Sequence, residues 1–121
     1  MPAVLYVDDE DAIRRALRSW LARRGHTVYT AGSTDEARAV LEAHPVDGAF
    51  IDIWLGDESG FDLFELIDMH WPRVAENAVF VTGDIIRDAE VERSIAALGR
   101  PLLVKPFELG ELERLVKGWT P

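Results

Sequence analysis

The stretch Val4-Leu5-Tyr6-Val7-Asp8-Asp9-Glu10-Asp11 passes from an apolar run directly into four consecutive carboxylates. Three further apolar runs end on single polar residues: Ala49-Phe50-Ile51 on Asp52, Ala78-Val79-Phe80-Val81 on Thr82, and Leu102-Leu103-Val104 on Lys105. Each has an ordinary explanation when taken alone. Acids at a helix start favour the helix dipole and its free amides, which accounts for Glu10 and Asp11. An aspartate after a strand is a common turn residue, Thr82 before Gly83 can close a strand, and Lys105 can be a solvated charge. Chemistry follows if the fold gathers them. Three carboxylates can share a site when a cation neutralises them or a pKa rises. Mg²⁺ suits such a set, because it takes oxygen ligands, keeps several waters and pairs one or two carboxylates with a phosphoryl group. A lysine adds a point charge for a phosphate oxygen, and a threonine hydroxyl adds a hydrogen bond. A carboxylate beside Mg²⁺ can also be a nucleophile, forming an aspartyl phosphate.

The elements that would position these residues alternate between two periods. Ala3 to Val7 is a short continuous apolar run, as expected of a strand covered on both faces. Ile13, Ala16, Leu17, Trp20 and Leu21 then recur at helical spacing, with Gly25 as a C-terminal stop. His26 to Ala31 is a more polar strand suited to a sheet edge. Ser33-Thr34-Asp35-Glu36 has capping-box spacing and opens a second helix through Ala37, Val40 and Leu41. Leu63, Phe64, Leu66 and Ile67 mark a third helix, Asp88 to Leu98 a weaker fourth, and Leu109, Leu112, Leu115 and Val116 a fifth. Strands alternating with helices in this way predict an α/β fold, a parallel sheet covered on both faces. Ligands of such sheets lie beyond the carboxyl ends of the strands, where Asp8, Asp9, Asp52, Thr82 and Lys105 would all stand.

Composition narrows the function classes. The 121 residues carry 13 Lys and Arg against 22 Asp and Glu, for a net charge of −9. Direct nucleic-acid binding needs a basic face to displace counterions, so this balance argues against it. The chain has no cysteine, which excludes disulfides and thiolate metal sites and favours an intracellular, cytoplasmic setting. No run approaches a membrane span, and the N-terminus lacks signal-peptide character. His26, His44 and His70 lack metal-ligand spacing and read as surface or loop residues, while Trp20, Phe61 and Phe64 read as core.

The motifs VLYVDDE, FIDIWL, VFVTGD and LLVKPF stand in that order along the chain. On them the sequence resembles the receiver domain of two-component response regulators along almost its whole length. The resemblance implies a flavodoxin-like, doubly wound five-stranded parallel sheet of spatial order 2-1-3-4-5. It implies a receiver domain over residues 1–117; the sequence itself reads 118–121 as a tail leaving the fold. It implies a non-enzymatic phosphoacceptor, with Mg²⁺ as cofactor and phosphoryl arriving from a histidine kinase or a histidine phosphotransfer protein. Asp52 would be the phosphorylated residue. Asp9 would bind Mg²⁺ directly, Asp8 partly through water, and the main-chain carbonyl of Trp54 would complete the protein ligands. Thr82 and Lys105 would each hold a phosphoryl oxygen, and Lys105-Pro106 would be a cis peptide bond. Partners would include a downstream effector or fused output domain, and a homodimer through the last two helices is left open.

The sequence departs from the family pattern at several positions. Gly56 stands where proline is common, and bulky Trp54 lies two past the acceptor. Leu102 takes the place of the aromatic switch residue, so signal would pass mainly through residues 83–87 and the fourth helix. Gly99-Arg100-Pro101, with VTGD, is nearer to receivers attached to hybrid sensor kinases. Two rival functions can be weighed. A small aspartyl-phosphate phosphohydrolase would be expected to carry a second aspartate at position 54, where tryptophan stands. A phosphate-independent receiver-like scaffold typically loses a member of the acid, threonine and lysine set, and all are kept here.

Overall fold

The computed structural model describes residues 2–83 and 89–119. In chain order the elements are β1 (Ala3–Val7), α1 (Asp11–Arg23), β2 (Thr27–Ala31), α2 (Thr34–Ala43), β3 (Gly48–Asp52), β4 (Trp54–Leu55), β5 (Glu58–Ser59), α3 (Gly60–His70), α4 (Pro72–Glu76), β6 (Val79–Thr82), α5 (Ala89–Leu98), β7 (Leu102–Val104) and α6 (Leu109–Lys117). Five strands pair in parallel in the order β2-β1-β3-β6-β7. This is the 2-1-3-4-5 order, because β4 and β5 form a separate antiparallel hairpin. Asp88, expected to begin the fourth helix, lies outside the described residues, as does most of the 83–87 segment.

Strand alternation divides the core in two. On one face Leu5, Val7, Ala49, Ile51 and Phe80 pack with residues of α2, α3, α4 and α5. On the other, Val4, Tyr6, Phe50, Val79 and Val81 meet Leu17 and Leu21 of α1 and Leu112 and Val116 of α6. The central strands β1, β3 and β6 are therefore covered on both sides, which explains their unbroken apolar runs. The edge strand β2 is more polar and only partly buried, as its sequence suggests.

Local signals act largely as expected. Gly25 has φ of 90°, the left-handed turn that stops α1. The Ser33 side chain accepts a hydrogen bond from the Glu36 amide, but Glu36 reaches back to the Gly32 amide, not to that of Ser33. The helix α4 and the β4–β5 hairpin have no counterpart in the sequence reading. Both are too short to show a period, and Pro72 at the start of α4 is their clearest local sign.

Two expectations need correction. His26 is not a surface residue: it is buried, and its Nε2 lies 2.9 Å from Glu113 Oε2. Arg24 Nε reaches the same oxygen at 2.7 Å, and together Arg24 and His26 hold the Glu113 carboxyl down to about 2. This cluster ties the end of α1 to α6. The chain also does not leave the fold at Gly118, since Trp119 is buried against Phe50, ring centroids 5.4 Å apart. Gly48 makes room for it; a Cβ there would fall 2.7 Å from the indole.

Trp119→Ala should therefore cost about 3–5 kcal/mol, as large-to-small changes of buried aromatics do. Urea unfolding followed by circular dichroism measures it. A change within about 0.5 kcal/mol, the range of surface substitutions, would contradict the packing role.

Candidate functional site

The sheet brings the carboxyl ends of β1, β3, β6 and β7 to one edge, and the strand-end residues meet there. Val7 pairs with Ile51, Asp52 with Val81, and Thr82 with Val104, so Asp8, Asp52, Thr82 and Lys105 stand on adjacent strands. The Lys105 amide donates to the Thr82 carbonyl at 2.8 Å, fixing the last two against each other. Lys105-Pro106 is a cis peptide bond.

Asp8, Asp9 and Asp52 offer carboxylate oxygens that all lie within 4.8 Å of one another. Asp8 and Asp52 are buried and Asp9 is exposed, so the cluster opens to solvent on the Asp9 side. Lys105 Nζ sits between the two buried acids, 2.7 Å from Asp8 Oδ2 and 3.0 Å from Asp52 Oδ2, with Glu10 Oε1 at 3.3 Å. Main-chain amides hold the remaining oxygens. Glu10 N donates to Asp8 Oδ1, Trp54 N to Asp52 Oδ1 and Gly56 N to Asp9 Oδ2, at 3.0, 3.0 and 3.1 Å.

The β4–β5 hairpin supplies two of those amides, and its return to the sheet depends on Gly60. The Gly60 amide donates to the Ile53 carbonyl at 2.7 Å, and a Cβ at Gly60 would fall 2.1 Å from the Asp52 carbonyl oxygen. No side chain fits there. Gly56 has φ of 62°, a left-handed conformation that favours glycine at the tip.

The donor set fits a hard divalent cation. It consists of clustered carboxylate oxygens, one of them on an exposed residue, with no nitrogen or sulfur ligand among them. Of the residues expected from sequence, Asp8, Asp9 and Asp52 cluster with oxygens within 4.8 Å, Lys105 pairs with Asp8 and Asp52, and Thr82 is buried at the neighbouring strand end. The Trp54 side chain is exposed, while its amide touches Asp52. Sequence reasoning missed two supports. Tyr6 donates its hydroxyl to Asp8 Oδ2 at 2.9 Å, and Arg14 Nη1 donates to the Asp8 carbonyl at 2.6 Å. A phenol in an otherwise aliphatic buried strand was the available signal for Tyr6, since such hydroxyls find partners.

A family model for the response regulator receiver domain matches residues 4–117. The chain belongs to that family. The receiver is 37% identical over 111 residues to the alginate biosynthesis transcriptional regulatory protein AlgB of Pseudomonas putida, covering 90% of this chain and 24% of that protein. It is 33% identical over 112 residues to the response regulator protein PilR of Pseudomonas aeruginosa, covering 93% of this chain and again 24% of the relative. It thus spans about a quarter of the length of these curated relatives. Among solved structures, a response regulator receiver protein from Pseudomonas putida superposes with a TM-score of 0.84 at 35% identity, covering 96% of this chain and 95% of that one. The receiver domain of NtrX from Brucella abortus gives 0.78 at 29% identity, covering 95% and 98%.

Electrostatics in the receiver's acid cluster follow from burial. Burial pushes the Asp52 carboxyl above its ordinary range, against the Trp54 amide and Lys105, which pull it down. Burial also opposes the Lys105 charge, but Asp8 and Asp52 outweigh it and hold the ammonium above the usual lysine range. Removing that ammonium leaves two buried carboxylates facing each other, so Asp52 should rise further. A carboxyl raised on folding supports the folded state while protonated, and this support is lost as pH rises through its folded pKa. Lys105→Ala should therefore be less stable than the parent by roughly 3 kcal/mol at neutral to alkaline pH, as broken buried pairs are. Urea unfolding at about pH 8 and about pH 5 should show the deficit shrinking in acid. A deficit that is equal at both pH values would contradict this account.

Proposed function

We propose that this receiver takes a phosphoryl group onto Asp52 from a phosphohistidine donor and signals by the change that follows. The observation that carries the reading is the buried Asp52 carboxylate, flanked by Asp8 and Asp9 oxygens within 4.8 Å and by Lys105 Nζ at 3.0 Å. In the reaction an Asp52 carboxylate oxygen forms a bond to phosphorus, the donor's N–P bond breaks, and the imidazole keeps the electron pair. Mg²⁺, held by Asp8, Asp9, Asp52 and the Trp54 main-chain carbonyl, would neutralise charge on the carboxylates and the incoming phosphoryl oxygens.

The chain's own residues do the rest. The Trp54 amide orients Asp52 through Oδ1. Lys105 follows charge, since a phosphoryl group of about −1.5 to −2 attracts the ammonium more strongly than one carboxylate does. Thr82, buried at the end of β6, supplies a hydroxyl to another phosphoryl oxygen. Leu102 is half-buried beside Phe80 and packs against the core, in place of a rotating aromatic ring. The output surface would be that of α5, β7 and α6, where the exposed Leu98 and Val104 lie.

A histidine kinase or phosphotransfer protein would be the donor, and an effector or fused output domain the recipient of the signal. The relatives' names support this reading: one is a response regulator protein and the other a transcriptional regulatory protein. Direct nucleic-acid binding by this domain is not part of the reading, given its net charge of −9. A cytoplasmic, non-enzymatic role accords with the same reading, and a homodimer through the output surface is one way to pass the signal on.

Incubation with acetyl phosphate and Mg²⁺ should add one phosphoryl group to the parent by intact mass, and none to Asp52→Asn. Stoichiometric labelling that persists in Asp52→Asn would overturn the assignment.

A further inference from the structure

Tyr6 is fully buried in the central strand β1, on the sheet face covered by α1 and α6. Asp8 lies two residues on, so both side chains project to that face. The phenol hydroxyl donates to Asp8 Oδ2 at 2.9 Å, and Lys105 Nζ lies 2.7 Å from the same oxygen. Asp8 is itself fully buried, and its other oxygen is held by the Glu10 amide at 3.0 Å. Two donors of different kinds thus converge on one carboxylate oxygen. One is a cation on a flexible chain that also pairs with Asp52 and Glu10. The other is a neutral hydroxyl on a rigid ring packed near Phe50.

The difference matters when Lys105 leaves. A buried carboxylate oxygen stripped of its partner pays its full desolvation penalty. With Tyr6 in place, Asp8 Oδ2 retains a donor while the ammonium follows new charge on Asp52, and the carboxylate keeps its orientation.

We propose that Tyr6 is a positioning residue of this site: its hydroxyl fixes the Asp8 carboxylate for cation binding and frees Lys105 to move. The proposal rests on the phosphoacceptor reading above and assigns to it a residue outside the strand-end set. Hydroxyl donors to a metal-binding carboxylate set its direction, and their removal typically lowers metal affinity about 10- to 100-fold.

Tyr6→Phe keeps the ring and the core volume and removes only the donor. Mg²⁺ titration of the unphosphorylated protein, followed by the NMR shifts of the Trp54 and Gly56 amides, should give a Kd raised about ten-fold. The Glu10 amide, which reports on Asp8 Oδ1, should shift in the variant before any Mg²⁺ is added. A role in packing alone would lower the urea midpoint and leave the Mg²⁺ Kd of the folded protein unchanged, and that result overturns the proposal. Absence of Mg²⁺ binding by the parent would overturn the phosphoacceptor reading along with it. A second measurement needs no variant. The chain has two tyrosines, so ¹³C-tyrosine labelling resolves the Tyr6 Cζ carbon. Its hydrogen-bonded shift should persist when beryllofluoride and Mg²⁺ occupy the site. A shift to the value of a free phenol would overturn the proposal even if Tyr6→Phe failed to fold.

Discussion

Three carboxylates with oxygens within 4.8 Å of one another repel, and the sharing of Lys105 between two of them makes the arrangement tenable. The ammonium lies 2.7 Å from Asp8 and 3.0 Å from Asp52, both nearly removed from water. At such separations the attraction exceeds the loss of hydration only if the remaining lone pairs are also satisfied. That requirement explains much of the local architecture. The hairpin after β3 presents the Trp54 and Gly56 amides, Gly60 permits its close return, and Tyr6 and Glu10 complete Asp8. The parallel sheet serves to bring four strand ends to one edge.

This balance is also what makes the site responsive. Among the described residues one ammonium serves two buried acids, while a third, Asp9, is held by a single amide and remains exposed. Among those residues the site is short of positive charge, and it is open on the Asp9 side. In the proposed function, phosphoryl charge added to Asp52 would change which partner Lys105 favours, and Lys105 is joined through its amide to Thr82 on β6. A local redistribution of charge would thereby reach two strand ends.

The fold and the principal acids were legible because they depend on strong, local signals. Continuous apolar runs identify strands buried on both faces, and the polar residue ending each run marks the sheet edge. What was not legible arises from contacts between distant segments. His26 is buried because Glu113, 87 positions away, meets it on α6. Trp119 is buried because Gly48 leaves space for the indole, which packs against Phe50. Arg100 donates to the carbonyls of Ala75 and Glu76 at the end of α4, a helix too short to show periodicity. The contact of Tyr6 with Asp8 needs only strand alternation, yet a tyrosine in an apolar run reads first as core.

The account's central claim is that Lys105 and a divalent cation compensate the same negative charge. Mg²⁺ titration calorimetry on Lys105→Met against the parent at about pH 8 tests it most directly. Two unit charges about 4 Å apart repel by about 1 kcal/mol even in bulk water, and a divalent cation would double that repulsion. The variant should therefore bind Mg²⁺ at least several-fold more tightly. Equal or weaker binding by a folded Lys105→Met protein would contradict the account.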